Sequence, residues 1–144
     1  MGERYLKSIR LLAECMQDFE RFASDFVRGY GLTHAQFDII ATLGNTSGMS
    51  FKELGQKTLI TKGTLTGVVD RLEQKGLVIR KRCTRDKRLY FVRLSCEGES
   101  LFNEVFPKLT KQGQGLFSGY TEDDFVRLET TLAGLKHAIA NSRS

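Results

Sequence analysis

Residues 49–94 constrain the fold of this 144-residue chain most, because two short helix patterns and two strand patterns follow one another there. A capping-box pattern at Ser50–Glu53 predicts a helix start, since each side chain can accept a hydrogen bond from a free backbone N–H. A second helix pattern begins near Thr61 and ends at Lys75 and Gly76, where a cation and a glycine favour a helix C-terminus. Its inward positions have helical spacing: Leu65, Val68, Val69 and Leu72.

The outward positions in the first turns of this second helix are small or polar. They are Thr61, Lys62, Gly63, Thr64 and Thr66. Small residues let a helix backbone approach a DNA groove closely, while hydroxyl groups and a lysine can contact base edges or phosphates. An ordinary solvated helix has a similar composition, so this face alone leaves both interpretations open.

Two strand patterns follow, at 77–82 and 89–94, where apolar and charged residues alternate as in half-buried strands. The intervening tip is basic, and Asp86 is the single acid among residues 80–93. A basic β-hairpin directly after a helix with a polar face is the layout of a winged helix-turn-helix. This layout predicts that the helix enters the major groove and that the tip contacts the backbone or the minor groove.

Residues 49–98 resemble the DNA-binding core of the MarR (multiple antibiotic resistance regulator) family. The matching segments are 63–66, 69–78, 85–88 and 94–98. The resemblance implies that Asp86 holds Arg88 and that Arg88 enters the minor groove, while Arg85 and Lys87 contact phosphates. The DNA-binding residues expected in all are Thr61, Lys62, Gly63, Thr64, Thr66, Arg71, Arg85, Asp86, Lys87 and Arg88.

The positive charge of the chain is concentrated in the same region. The net charge is +5, but residues 50–93 hold 12 Lys or Arg against 4 Asp or Glu, a local +8. Such an excess is typical of a nucleic-acid-binding surface. The chain has no apolar run long enough to cross a membrane, no signal-peptide pattern and no disulfide pattern among its cysteines, so we expect a cytoplasmic protein with no membrane partner.

Long helix patterns flank the basic region on both sides. Residues 3–29 have an apolar heptad seam, and a capping-box pattern at Thr33 and Gln36 opens a shorter helix after it. Ser95 can cap a helix that contains Pro107, and Thr121 can cap the last helix. The predicted fold class is mostly α with a small β-hairpin wing (α+β): a winged helix-turn-helix whose N- and C-terminal helices form a dimerisation core. The expected regions are 1–32 for dimerisation, 33–95 for DNA binding and 96–144 for dimerisation.

Seam spacing alone also fits a helical core within one chain. The resemblance to the MarR family, however, implies that the terminal helices of two chains intertwine to form the dimer core. A homodimer would bind double-stranded DNA at a pseudo-palindromic site. The resemblance further implies a pocket for a small aromatic or phenolic effector. Its expected lining is Phe19, Phe22, Phe26, His34, Phe37, Phe102 and Phe106. A close-packed core uses phenylalanine equally well, so the pattern does not separate a pocket from a core.

Some members of the family sense peroxides or thiols through a cysteine on the first helix, and Cys15 lies in about that region. The positions that match its two tyrosine partners are Phe26 and Phe37, which lack hydroxyl groups. A small buried apolar residue is therefore the preferred interpretation of Cys15. Thiol sensing by Cys15 remains an alternative within the same fold.

Enzymatic chemistry has little support in the sequence. His34 and His137 are far apart and are expected at the surface, and no phosphate-binding loop, HExxH or CxxC motif is present. We expect neither a cofactor nor a metal. The predicted function is a transcriptional regulator, as a rule a repressor, that releases its operator when a small ligand binds. A winged-helix protein–protein adaptor without DNA binding is the alternative from another class. A cysteine redox enzyme has less support, because the sequence offers no paired cysteine for it.

Overall fold

Six helices and three short strands follow one another along the residues that the structure describes. The structure is a computed structural model that describes residues 2–58, 60–85 and 89–142, without the side chain of residue 62. The elements are α1 (Arg4–Arg28), α2 (His34–Leu43), β1 (Met49–Ser50), α3 (Phe51–Thr58), α4 (Lys62–Gln74), β2 (Val78–Arg82), β3 (Tyr90–Leu94), α5 (Cys96–Leu116) and α6 (Glu122–Asn141). The mostly helical fold with a β-hairpin wing is thus confirmed. The chain divides into two compact units, Met1–Leu109 and Thr110–Ser144.

The three strands form one antiparallel sheet in the order β1-β3-β2. Val78 of β2 pairs with Leu94 of β3, and this register continues along the hairpin. The sequence did not predict β1, whose two residues pair with Val92 and Phe91. The helix expected to start at Ser50 therefore starts one residue later, although the Ser50 Oγ still accepts from the Glu53 N–H at 3.1 Å.

A buried apolar cluster lies within the first unit and holds α4 by its inner face. Leu65, Val69 and Leu72 are buried as the helical spacing predicted, together with Leu54 of α3 and Val92 of β3. The C-terminal end of α1 contributes Val27 to the same cluster, and the first half of α5 contributes Val105. Burial on this scale stabilises each large apolar side chain by about 1.5–3 kcal/mol relative to exposure, which fixes the orientation of α4.

The predicted starts of α2, α5 and α6 are confirmed by their hydrogen bonds. At α2 the capping box of Thr33 and Gln36 has both of its bonds, each 3.1 Å long. At α6 Thr121 and Asp124 form a second capping box, and the Thr121 backbone N–H together with Arg127 lowers the pKa of the Asp124 carboxyl. At α5 the Ser95 Oγ accepts from the Gly98 N–H at 3.0 Å and donates to the Gly76 carbonyl at 2.6 Å.

Apolar side chains are exposed on both terminal helices. On α1 they include Tyr5, Ile9, Met16 and Phe19, which belong to the predicted heptad seam. On α6 they are Val126, Leu128, Leu132 and Ile139. In the second unit, Phe117, Tyr120 and Phe125 form a cluster of three rings at the start of α6. No helix among the described residues is long and apolar enough to cross a membrane.

Candidate nucleic-acid interface

In the first two turns of α4 the most outward positions are glycines, Gly63 and Gly67, which together are called the bare line here. Because a helix turns about 100° per residue, Gly63 and Gly67 lie on one line opposite buried Leu65, Val69 and Leu72. A Cβ placed at either glycine would have no heavy atom of the described residues within 4 Å. The α4 backbone can therefore approach another molecule closely along this line. Sequence reasoning missed Gly67, although its spacing of four residues from Gly63 was visible.

The remaining predicted residues on α4 flank this line. Thr61, Thr64, Thr66 and Arg71 are all exposed. The Thr61 hydroxyl donates to the Thr64 hydroxyl at 3.0 Å, and in the described part of the chain no side chain caps the start of α4. An uncapped helix N-terminus of this kind favours an anion. Lys62 lies in α4, but its side chain is outside the described residues.

The wing presents further cations beside α4. Lys81, Arg82 and Arg85 are exposed, and the Cys83 N–H donates to the Leu89 carbonyl at 2.8 Å, which closes the base of the wing. The Arg82 Nε donates to the Tyr90 hydroxyl at 3.0 Å. Asp86, Lys87 and Arg88 lie outside the described residues, so the roles assigned to them remain predictions.

A compact ionic cluster, here called the Arg80 cluster, joins the wing to α4. It consists of Asp70, Glu73, Arg80 and Tyr90. The Arg80 Nη2 lies 2.7 Å from the Asp70 Oδ1 and 3.0 Å from the Glu73 Oε1. The Arg80 guanidinium carbon lies 5.3 Å from the centre of the Tyr90 ring. Burial acts to lower the pKa of Arg80, but Glu73 and Asp70 raise it above its ordinary value. Sequence reasoning counted Arg80 only as one of several basic residues.

A second long-range contact holds the C-terminal end of α4. The Lys75 Nζ donates to the Gly31 carbonyl at 2.5 Å and to the Gln36 Oε1 at 3.2 Å. Gln36 is buried and also accepts from the Thr33 N–H, so one side chain serves both the α2 cap and Lys75. Gly31 has φ +76°, a left-handed conformation that glycine adopts without steric cost. The end of α4 is therefore bonded to the turn between α1 and α2.

The residues expected to line an effector pocket have different environments. Phe37 and Phe102 are buried in the apolar cluster, and Phe26 packs against that cluster. Phe19 and Phe106 are exposed, at 44% and 41% of their surface. Phe22 and His34 are half-buried. Two ring pairs occur, Phe19 with Phe22 at 6.1 Å and Phe102 with Phe106 at 5.0 Å.

His34, which was expected at the surface, is half-buried in the first turn of α2. Burial raises the pKa of the Asp38 carboxyl above its ordinary value, while His34 acts in the opposite direction. A shallow surface groove of about 550 Å³ lies elsewhere, between Leu77, the residue before β2, and the first half of α5. Its lining consists of Leu77, Cys96, Glu97, Ser100, Leu101 and Glu104, none of which was expected at an effector site.

The three cysteines are free thiols. Cys15 is exposed on α1, so the prediction of a small buried residue is wrong for the single chain. The buried residues of α1 are Ala23 and Val27, and Cys15 lies about two turns before them. Cys96 is exposed and Cys83 is half-buried. Across residues 2–58, 60–85 and 89–142, no three His, Cys, Asp or Glu side chains are grouped so that they could hold a metal.

The helix with its bare line, the adjoining basic hairpin and the three-stranded sheet define a winged helix-turn-helix, a DNA-binding class of fold. The family model described as "MarR family" matches residues 32–90. The transcriptional regulator MhqR of Bacillus subtilis is 28% identical over 124 residues, 86% of each chain. The homoprotocatechuate degradative operon repressor of Escherichia coli is 29% identical over 117 residues, 81% of this chain and 78% of the relative.

The transcriptional regulator PecS of Dickeya dadantii is 30% identical over 117 residues, covering 79% of this chain and 70% of PecS. The chain therefore belongs to the MarR family of DNA-binding transcriptional regulators. Among solved structures, NadR in complex with 4-hydroxyphenylacetate is 27% identical and has a TM-score of 0.68, with 85% of this chain and 89% of NadR covered. The Staphylococcus aureus MepR–DNA complex shares the fold, with a TM-score of 0.81 at 18% identity, and covers 90% of this chain and 96% of MepR.

Proposed function

We propose that the protein is a homodimeric repressor that binds a pseudo-palindromic operator and releases it when a small aromatic ligand binds. The observation that carries the DNA-binding part is the bare line of α4 at Gly63 and Gly67, directly beside the exposed cations of the wing. α4 enters the major groove with this line foremost, and Thr61, Thr64 and Thr66 reach base edges or phosphates. Lys62 and Arg71 complete the contacts of this helix.

Charge supports a polyanionic partner rather than a protein surface of mixed charge. The local excess of +8 over residues 50–93 contrasts with −3 over the remainder of the chain. Arg85 and Lys87 contact phosphates, while Arg88, oriented by Asp86, enters the minor groove. Each phosphate contact releases counterions, so binding weakens steeply with salt.

Residues 33–95 form the DNA-binding region, and residues 1–32 and 96–144 form the dimerisation regions. The support is the exposed apolar seam of α1 and the exposed apolar residues of α6, which a second copy of the chain would cover. Dimers place two recognition helices about one DNA turn apart, as a pseudo-palindrome requires. Analytical ultracentrifugation at micromolar concentration tests this proposal, and a monomer at operator-binding concentrations would contradict it.

The ligand class follows from the relatives rather than from the described geometry. NadR binds 4-hydroxyphenylacetate, and another relative represses an operon for homoprotocatechuate degradation, so both names point to hydroxylated aromatic acids. Phe19, Phe22, Phe26, His34, Phe37, Phe102 and Phe106 are the proposed lining. Operator release by 4-hydroxyphenylacetate, compared with its non-aromatic analogue cyclohexylacetate, tests the proposal. Equal release by both compounds, or by neither, would contradict it.

Oxidation sensing at Cys15 is a second candidate, and the exposure of this thiol favours it. A thiol must be accessible to oxidant before it can act as a sensor. Peroxide would then release operator from the parent protein but not from the Cys15→Ser variant. Equal release from both proteins would assign any peroxide effect to Cys83, Cys96 or general damage.

A selection with sheared host genomic DNA at near-physiological salt, followed by sequencing, tests the proposed function as a whole. Recovery of a few pseudo-palindromic sites is the expected result, and the neighbouring genes would identify the regulated pathway. Recovery of all sequences equally would show charge-driven binding only. Recovery of none would leave the protein–protein adaptor as the better interpretation.

The two adjacent wing cations should respond differently to removal. Arg88→Ala should weaken operator binding by about 1–3 kcal/mol and relax specificity, because it removes a minor-groove contact. Lys87→Ala is the matched control: it should reduce the salt slope of log K by about 1 without changing sequence preference, because it removes a phosphate contact. Fluorescence anisotropy at several salt concentrations measures both. Parent-like binding by Arg88→Ala would refute the wing assignment.

A further inference from the structure

The Arg80 cluster connects two elements that must meet DNA at the same time. Asp70 and Glu73 are three residues apart on α4 and therefore lie on one side of that helix. Arg80 lies on β2, opposite Val92 of β3. One guanidinium thus holds α4 at two points, with distances of 2.7 and 3.0 Å. We propose that Arg80 is a positioning residue, which sets the wing against α4 so that both engage DNA together without Arg80 itself contacting DNA.

The two carboxylates that Arg80 bonds explain why an arginine occupies position 80. A guanidinium presents several N–H donors in a rigid plane and can bond two carboxylates at once, which a lysine ammonium does less well. The Arg80 side chain is only 21% exposed, whereas those of Asp70 and Glu73 are 43% and 41% exposed. Arg80 is therefore enclosed by its partners, and its charge is already matched by two carboxylates. A phosphate would have to compete with both of them.

Tyr90 extends the connection to the remainder of the winged segment. Its ring lies 5.3 Å from the Arg80 guanidinium carbon and 5.4 Å from that of Arg82. The same ring packs against Phe51 of α3 at 5.8 Å. Contacts therefore run from α4 through β2 and β3 to α3. The wing tip begins only a few residues beyond Arg80, at about 3.3 Å per residue, so a small rotation at Arg80 displaces the tip.

Asp70 gives the cluster a second consequence for DNA binding. It lies three residues after Gly67, on the flank of the bare line that is proposed to face the major groove. An unpaired carboxylate in that position would repel phosphates. Arg80 therefore removes a charge conflict on α4 and positions the wing with the same two bonds. This inference depends on the proposed DNA binding.

A mutant cycle in the full-length protein tests the proposal. Arg80→Met is measured in the parent and in an Asp70→Ala/Glu73→Ala background, with Lys81→Met as a control that removes one cation from the same strand. We expect Arg80→Met to weaken operator binding about tenfold in the parent but less than about twofold in the background, because contacting residues are coupled. Lys81→Met should weaken binding less than about threefold, as the loss of one exposed cation does. Arg80→Lys should be intermediate.

Hydroxyl-radical footprinting adds a readout that general destabilisation would not produce. Arg80→Met should lose protection in the minor groove, where the wing lies, while protection beside the major groove persists. Equal losses of affinity in parent and background would show a direct DNA contact and overturn the proposal, as would parent-like binding by Arg80→Met.

If the parent does not bind DNA at all, the proposed function fails, and the positioning role is then tested without DNA. NMR order parameters of the amides of Arg82, Cys83 and Arg85 should fall in Arg80→Met and not in Lys81→Met, because the wing loses its link to α4. Unchanged order parameters would overturn the positioning role.

Discussion

Gly63→Leu should reduce operator binding at least about a hundredfold, or about 2.7 kcal/mol, while leaving the fold intact. Gly63 is exposed on α4, and an added Cβ would have no described heavy atom within 4 Å. The larger side chain therefore costs nothing in the free protein. It would, however, occupy the space between the α4 backbone and the floor of the major groove, where direct contacts need close approach.

The size of the side chain provides the control for this prediction. Gly63→Ala should weaken binding much less than Gly63→Leu, because a methyl group keeps most of the approach distance. Thermal unfolding of both variants should match or exceed that of the parent, since glycine costs about 0.5–1 kcal/mol relative to alanine within a helix. Anisotropy titration with the selected operator measures the binding. Parent-like affinity of Gly63→Leu would mean that α4 does not enter the groove by this line.

Gly98→Ala, unlike Gly63→Leu, should destabilise the folded protein strongly. A Cβ at Gly98 would overlap the Leu77 carbonyl oxygen and lie 3.1 Å from the Leu77 carbonyl carbon and 3.2 Å from the Leu94 Cδ2. The obstructing atoms belong largely to the backbone, so they cannot rotate away. The same Leu77 carbonyl accepts from the Ser95 N–H at 3.0 Å, so a shift of Leu77 would also disturb the start of α5.

We expect Gly98→Ala to destabilise the protein by about 3 kcal/mol, the upper end of the usual cost of overpacking. This corresponds to a fall in melting temperature of roughly 6–12 °C for a chain of this size. Gly67→Ala is the matched control, because its Cβ would meet open space in α4. It should raise stability by about 0.5–1 kcal/mol. Calorimetry at one fixed protein concentration measures the stability of both variants. Equal stability would contradict the steric role given to Gly98.

Features that depend on neighbouring residues were predictable from the sequence. The caps at Thr33 and Thr121, the stop at Gly76 and the inward side of α4 each depend on residues within one or two turns. The fold class followed from their order along the chain. The resemblance of residues 63–66, 69–78 and 85–88 to the MarR family agrees with the match of the family model at residues 32–90, whereas the segment 94–98 lies beyond that match.

Features that depend on distant residues were not predictable. The strand β1 has two residues and exists because Met49 pairs with Val92. Arg80 is one of several basic residues in the sequence, and only the fold brings it to Asp70 and Glu73. The steric role of Gly98 likewise needs Leu77 in place. Exposure of Cys15 depends on where the apolar cluster ends along α1, which periodicity alone did not indicate.

The bond from Lys75 to the α1–α2 turn has a consequence for protein engineering. A designer who transplanted only residues 49–94 into another scaffold would leave the Lys75 ammonium without the Gly31 carbonyl and the Gln36 side chain. The transplant would also lose Val27, Leu32 and Phe37, which share the apolar cluster with Leu65 and Val69. The smallest portable module of this protein therefore begins within α1, well upstream of the segment that resembles a self-contained DNA-binding domain.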